Sequence, residues 1–336
     1  MLANAPEDTV LICRTLALII LYYTFSICLT FYNKWLFKGF HFPLSISLVH
    51  ILVKFGITAF IRECYRLVYD QRTVWLSWQS YIRRVSPTAI STALDIGLSN
   101  WSFLFITVSL YTMSKSTCII FILGFSIWFR LEEFKASQIS VVALVSGGLL
   151  LFTYQSTDFN LFGFILVLSA SFIGGLRWAL AQTILQKESV GLANPIDLMF
   201  HLQPIMAITL LPLAVFIEGP SLALSSQVFR AANLGDALWT LFLILIGAIL
   251  GFLLSLSEYF VVLQTSGLTL SISGIFKEIC TLSIAFTLGG DKINLINFMG
   301  LVVCIAGISL HVYMKAQAVL KKNTAKDYNY QRVETI

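Results

Sequence analysis

VSLYTMSKSTC at residues 108–118 and LSISGIFKEIC at residues 270–280 are the two stretches on which the fold turns. At an offset of 162 they share Ser109 with Ser271, Lys115 with Lys277 and Cys118 with Cys280. Farther on, Gly148, Leu149 and Tyr154 face Gly307, Ile308 and Tyr313 at an offset of 159. The change of three residues falls in the connection, where Arg130-Leu131-Glu132-Glu133 is longer than its counterpart ending at Asp291. The chain therefore reads as two copies of one unit.

What the unit is follows from hydropathy. Of 336 residues 57% are hydrophobic and only 12% charged, whereas soluble domains run near 45–50% and about 25%. A soluble enzyme is excluded. Apolar segments fall near 15–33, 43–61, 86–105, 108–129, 136–154, 161–183, 198–217, 237–263, 267–288 and 293–313, each near the ~20 residues that span a ~30 Å hydrocarbon core. The two matched stretches lie in the fourth and ninth segments. The repeat is then five segments long, and an odd number forces the second copy to insert upside down. The expectation is an all-α polytopic membrane protein of ten transmembrane helices in two inverted five-helix repeats, with a site at the repeat interface near mid-membrane, as in transporters. The first repeat is placed at 15–154 and the second at 161–314, with an amino-terminal tail at 1–14 and a carboxyl-terminal tail at 315–336.

Charge sets the orientation. With alternating loops, the face holding both termini collects Arg14, Arg62, Arg66, Arg72, Arg83, Arg84, Arg130, Lys135, Lys187, Lys315, Lys321, Lys322, Lys326 and Arg332. The other face collects only Lys34, Lys38, Arg230 and Lys292. The positive-inside rule puts both termini and both tails in the cytosol. The net charge of +5 thus belongs to loops and tail, and nucleic acid is not an expected partner. The partner expected of every span is the lipid bilayer. Glu7 and Asp8 stand where a secretory signal would carry positive charge, so the first span is read as its own insertion signal.

The remaining bases, Lys54, Lys115, Arg177 and Lys277, fall inside spans. Lys115 is about 10 Å and Lys277 about 15 Å from their span starts at 1.5 Å per residue, and each would cost roughly 2.5–3.5 kcal/mol facing lipid. Both are expected to face an interior cavity. Ser109, Thr112 and Ser116 flank Lys115, while Thr269, Ser273 and Thr281 recur every four residues around Lys277, so each lysine centres a polar stripe. Lysine is a compact point charge suited to phosphate, and two such stripes on symmetry-related helices predict a site for a phosphorylated substrate. The competing reading is two structural lysines paired with carboxylates such as Glu278 or Glu258. Lys54 and Asp95, at similar depth in consecutive antiparallel spans, are expected to form a structural ion pair. Arg177, in the cytosolic third of its span, either joins the substrate site or anchors at the headgroups.

Other motifs carry less chemistry. Gly147-Gly148, Gly174-Gly175 and the Gly247-to-Gly251 G-x-x-x-G are read as close helix packing. His41, His50, His201 and His311 have no metal-ligand spacing, and the six cysteines show no C-x-x-C pairing, so neither a metal nor any other cofactor is expected. Ser271-Ile272-Ser273-Gly274 resembles an intramembrane serine-protease turn, but no histidine is set against it and no enzyme activity is expected.

Phe31-Tyr32-Asn33-Lys34-Trp35, Val108-Ser109 to Lys115-Ser116, Gly175-Leu176-Arg177-Trp178 and Ser273-Gly274-Ile275-Phe276-Lys277 together resemble the triose-phosphate-translocator and nucleotide-sugar-transporter branch of the drug/metabolite transporter superfamily. The likeness runs from about residue 15 to 315 and is strongest to solute carrier family 35, subfamily C, and its GDP-fucose transporters. It implies an antiporter exchanging a nucleotide sugar, GDP-fucose among the candidates, for a nucleoside monophosphate across a Golgi or endoplasmic-reticulum-Golgi membrane, in a chain able to form a homodimer. The family's phosphate-binding lysine falls on Lys115 and its span 9 lysine on Lys277, with Thr112, Ser116, Ser273, Gly274 and Arg177 completing the implied substrate set. The arginine that follows the span 9 lysine in triose-phosphate carriers is Glu278 here, which disfavours a small, highly charged triose phosphate. Phe276 replaces the asparagine of the guanosine-sugar motif. Two alternatives stay open: a non-transporting regulator of another nucleotide-sugar transporter or glycosylation enzyme, and an exchanger of another phosphorylated organic anion. Exchange itself is expected from an empty carrier whose two unpaired lysines resist reorientation.

Overall fold

In the computed structural model the described residues are 5–69, 76–130, 136–153, 159–186, 192, 194–225, 234–264, 277, 280–287, 294–310, 313–314 and 317, and every regular element among them is helical. The chain runs through α1 (Ala5–Gly39), α2 (Pro43–Tyr69), a short α3 (Trp78–Ser80) that a π-turn joins to α4 (Ser86–Ser102), then α5 (Val108–Ser116), α6 (Cys118–Trp128) and α7 (Ser137–Thr153). It continues with α8 (Leu161–Gln186), α9 (Pro195–Leu213), a π-turn at Ala214–Glu218, α10 (Gly219–Ala223) and α11 (Leu234–Gln264). Beyond these lie α12, residues 280–287, and α13, Leu295–Leu310. Helix α1 already begins at Ala5, within the segment read as a tail. The carboxyl-terminal tail lies outside the described residues apart from Gln317.

Among the described residues five stretches are long and apolar enough to cross a bilayer: Pro43–Val68, Val108–Trp128, Leu161–Ala181, Pro195–Ala223 and Gly235–Val261. Gln138–Phe152 and Leu295–Leu310 are shorter apolar helices. Large apolar side chains such as Phe60, Leu150, Ile208 and Phe216 point outward, while Lys54, Asp95, Thr92 and Asn100 are buried. This reversal of the usual soluble pattern is what a lipid solvent demands, and the protein is a multi-pass membrane protein. Helix α4 is the instructive case. Thr88, Ser91, Thr92, Asp95, Ser99 and Asn100 make it too polar to face lipid, and it is wrapped by α8 and α9.

Local chemistry explains the breaks. Thr107 caps α5 by accepting from Leu110 N. Only nine residues later Ser116 Oγ donates to Met113 O (2.7 Å) and Thr117 Oγ1 to Ser114 O (2.6 Å). Such back-bonding competes with the i→i−4 ladder, and α5 ends one residue after Lys115. In α9, Pro204 and Pro212 remove two backbone donors, and the π-turn at Ala214–Glu218 follows directly.

Helices α2 and α9 lie antiparallel and are tied at both ends. At one end Glu218 accepts from Leu44 N (2.8 Å), Ser45 N (2.7 Å) and Ser45 Oγ (2.6 Å), satisfying the amino-terminal donors of α2. At the other, Arg62 pairs with Asp197 at 2.9 Å, its guanidinium 4.3 Å above the Phe200 ring.

Among the described residues three apolar clusters hold the helices together. One joins α2, α4, α9 and α11 through Ile51, Ala93, Leu202 and Phe252, and another joins α5, α7, α8, α12 and α13 through Leu110, Val145, Val167, Leu282 and Cys304. The third, around Phe37, Phe40 and Phe103, plugs the end of the bundle where α1 finishes.

The glycines divide by what they touch. A Cβ on Gly148 would stand 2.5 Å from Cys304 N and 2.8 Å from Gly300 O, whereas one on Gly147 would meet nothing within 4 Å. Because the neighbours of Gly148 are backbone, they cannot rotate away. Gly148→Ala is expected to destabilise by about 1–3 kcal/mol by forcing α7 from α13, and Gly147→Ala to leave the melting temperature in detergent unchanged. Equal melting of the two variants would contradict this packing.

A polyionic cavity as the candidate substrate site

A cavity of about 620 Å³ opens among α1, α2, α4, α5, α6, α8, α9 and α11, with Lys277 and Thr281 on its wall. The volume falls within the usual range of small-molecule sites. Phe103 is among its lining residues, with its ring centroid 4.2 Å from that of Tyr111 and 6.4 Å from that of Phe37. Lys54, Asp95, Thr112, Lys115, Ser116, Arg177 and Lys277 all line this one space. Ser273 and Gly274 lie outside the described residues.

Asp95 is the hub. Its Oδ1 accepts from Lys115 Nζ and Ser99 Oγ, its Oδ2 from Arg177 at 3.2 Å, and Lys115 Nζ also donates to Ser99 Oγ at 2.9 Å. Gly174 makes the hub fit, since a Cβ there would lie 3.2 Å from the carboxylate. The second arm of the Arg177 guanidinium faces Glu258 at 3.7 Å, and its plane lies 4.7 Å from the Trp178 ring.

Lys54 stands apart from this hub and donates to Ser255 Oγ at 3.1 Å. Helix α11 receives it through Gly251, where a Cβ would come within 3.0 Å of Lys54 Cε, and receives His50 through Gly247 at 2.9 Å. The four-residue glycine spacing on α11 therefore matches the four-residue spacing of His50 and Lys54 on α2. It is a pair of notches for two polar side chains rather than a bare helix–helix contact. Lys277 Nζ lies 5.7 Å from the Tyr22 ring centroid across the cavity.

Three expectations change. Lys54 and Asp95 do not pair, because Asp95 faces α5 and α8 while Lys54 faces α11. Arg177 is not a headgroup anchor, because its side chain is only 13% exposed and holds two carboxylates. Lys115 is not unpaired, because Asp95 neutralises it. Thr112 Oγ1 and Ser116 Oγ donate to their own helix carbonyls, and Ser116 Oγ also meets Cys304 Sγ at 3.4 Å. Glu258 was legible only as one partner of a lysine; it serves an arginine instead. The chain of Asn33, Asn100 and Ser47, with Asn100 Nδ2 donating to Ser47 Oγ at 2.7 Å and Asn33 Nδ2 to Asn100 Oδ1 at 3.4 Å, also lines the cavity and carried no readable site signal.

Among the described lining residues Lys54, Lys115, Arg177 and Lys277 stand against Asp95 and Glu258, an excess of two formal positive charges. Held among helices rather than in lipid, such a wall attracts an anion and offers both point-charge and forked donors to its oxygens.

Comparison with known proteins agrees with a carrier. An Arabidopsis thaliana protein named as a sugar phosphate/phosphate translocator is 34% identical over 327 residues, covering 96% of this chain and 78% of its own. A Saccharomyces cerevisiae protein named for nucleotide-sugar transport is 27% identical, covering 91% of this chain and 86% of its own. One solved crystal structure shares the chain path with a TM-score of 0.51 at 10% identity, over 88% of this chain and 95% of the other. The model of the Triose-phosphate Transporter family matches residues 13–312, which contain every cavity-lining charge described above. With helices on all sides of a buried polyionic cavity, the chain is a transporter rather than an enzyme, and it belongs to the Triose-phosphate Transporter family.

Proposed function

We propose that this protein moves a phosphorylated sugar compound, a nucleotide sugar or a sugar phosphate, across a Golgi or endoplasmic-reticulum-Golgi membrane in exchange for a nucleoside monophosphate. The observation that carries the reading is that Lys54, Lys115, Arg177 and Lys277 line one cavity against two described acids, Asp95 and Glu258. Two relatives named for sugar phosphate and nucleotide-sugar transport support the substrate class. In this reading Lys115 and Lys277 hold the phosphates, Arg177 orients them, and Thr112, Ser116, Ser273 and Gly274 complete the polar lining. GDP-fucose is the first nucleotide sugar to try.

The motion is alternating access of two inverted five-helix repeats, 15–154 and 161–314, in a ten-span chain with both termini in the cytosol. Exchange has a charge basis. Carrying a net-positive cavity through a low-dielectric barrier is costly, and a phosphate bearing about −1.5 to −2 charges offsets that charge. The loaded cavity then reorients more readily than the empty one.

Counterflow in proteoliposomes preloaded with a nucleoside monophosphate, scanned with labelled nucleotide sugars and sugar phosphates, tests the proposal. Uptake of one class well above that into unloaded vesicles is expected. Equal uptake into loaded and unloaded vesicles would end the exchange mechanism. No uptake from folded protein would end the transport reading in favour of a regulatory role.

A further inference from the structure

Among the described lining residues Asp95 and Glu258 both carry charge that opposes the proposed cargo, and Asp95 holds the better position for meeting it. It is 5% exposed, and its two oxygens occupy Lys115, Arg177 and Ser99 together. Two cations and a hydroxyl converging on paired oxygens form a donor set equally suited to a phosphate. The pair is not sealed off. The Lys115 side chain is 23% exposed, on the cavity wall, while that of Asp95 is 7% exposed behind it. A ligand entering the cavity reaches the ammonium from its open side.

The surroundings also allow the pair to part. Asp95 sits on α4, held between α8 and α9, whereas Lys115 is the penultimate residue of α5, beside the break at Thr117. If the ammonium swings away, Asp95 keeps Arg177 through Oδ2 and Ser99 through Oδ1. The carboxylate is thus never stranded without a partner in the low-dielectric interior.

We propose that Asp95 is an internal counter-anion: it occupies Lys115 in the empty cavity in place of a substrate phosphate, and the arriving phosphate must displace it. The proposal rests on the transport reading and deepens it. Asp95 weakens binding and in return hastens release, because it retakes Lys115 as the phosphate leaves. A permanent structural pair would do neither.

The test is anion binding by the purified full-length protein in detergent, with pyrophosphate as the probe and thermal stabilisation and calorimetry as readouts. Asp95→Asn is expected to bind pyrophosphate at least tenfold more tightly than wild type. Glu258→Gln removes a carboxylate from the same cavity without touching Lys115, and is expected to change affinity less than threefold. The double variant Asp95→Asn/Lys115→Met is expected to lose the gain. An unchanged or weaker affinity in Asp95→Asn, or an equal gain in Glu258→Gln, overturns the proposal, the second result marking a general field effect. Should Asp95→Asn lose stability, pyrophosphate is expected to restore its melting temperature towards that of wild type, and failure to do so overturns the proposal as well. Pyrophosphate binding in wild type without a gain in Asp95→Asn sinks the counter-anion alone. Absence of binding in every variant sinks the anion-carrying cavity with it.

Discussion

Lys115→Ala is expected to lower exchange in proteoliposomes by at least about 30-fold while leaving a folded protein. The ammonium is the cavity cation presented between Asp95 and the open space, and the loss of one charged partner from a buried contact costs about 2–5 kcal/mol. At 1.4 kcal/mol per decade, that range corresponds to roughly 30-fold up to several thousand-fold. Folding survives because Asp95 retains Arg177 and Ser99, so no carboxylate is orphaned. The measurement is the initial exchange rate at matched amounts of protein, with melting temperature as the folding control. Full exchange activity in a folded Lys115→Ala would remove this lysine from the substrate site, and with it the alignment of the two polar stripes.

Arg177→Ala is expected to have the largest effect on stability, about 3–5 kcal/mol. Its guanidinium joins Asp95 on α4 to Glu258 on α11 from its own position on α8. Removing it takes one cation from buried Asp95 and half-buried Glu258 at once. Arg177→Lys is expected to recover little, because a single ammonium cannot reproduce the planar fork that addresses two carboxylates from different helices. Adding Glu258→Gln to Arg177→Ala should recover part of the loss, since the acid left behind is then neutral. A double-mutant cycle read by thermal melting gives that coupling directly. If Arg177→Ala melts as wild type does, the arginine is not what joins these helices, and the charge network is decorative.

The two effects separate what could be read along the chain from what could not. Apolar runs alone located the spans closely: 43–61 falls inside Pro43–Tyr69, 161–183 inside Leu161–Gln186 and 237–263 inside Leu234–Gln264. Cores did not obscure this signal, because a lipid-facing helix needs apolar residues on its outside as well. Of the ionisable residues within spans, Lys115 and Lys277 were read as facing a cavity, Lys54 and Asp95 as an ion pair with each other, and Arg177 as a substrate residue or a headgroup anchor. Lys54, Asp95, Lys115, Arg177 and Lys277 all line one space, since none could face hydrocarbon without a penalty of several kcal/mol.

Their partners were not legible. A sequence gives depth, because each helical residue advances 1.5 Å, and Lys54 and Asp95 sit at similar depth. It does not give azimuth, the direction in which a side chain leaves its helix relative to the neighbouring helices. That is decided by packing. Gly174 on α8 admits the Asp95 carboxylate and Gly251 on α11 admits Lys54, so the two charges turn towards different helices. Composition and hydropathy therefore determined a membrane protein with its charges inside. The small-residue notches through which α4 meets α8 and α2 meets α11 decided which charge neutralises which, because ion pairing depends on distances of a few ångströms that only the packed bundle sets.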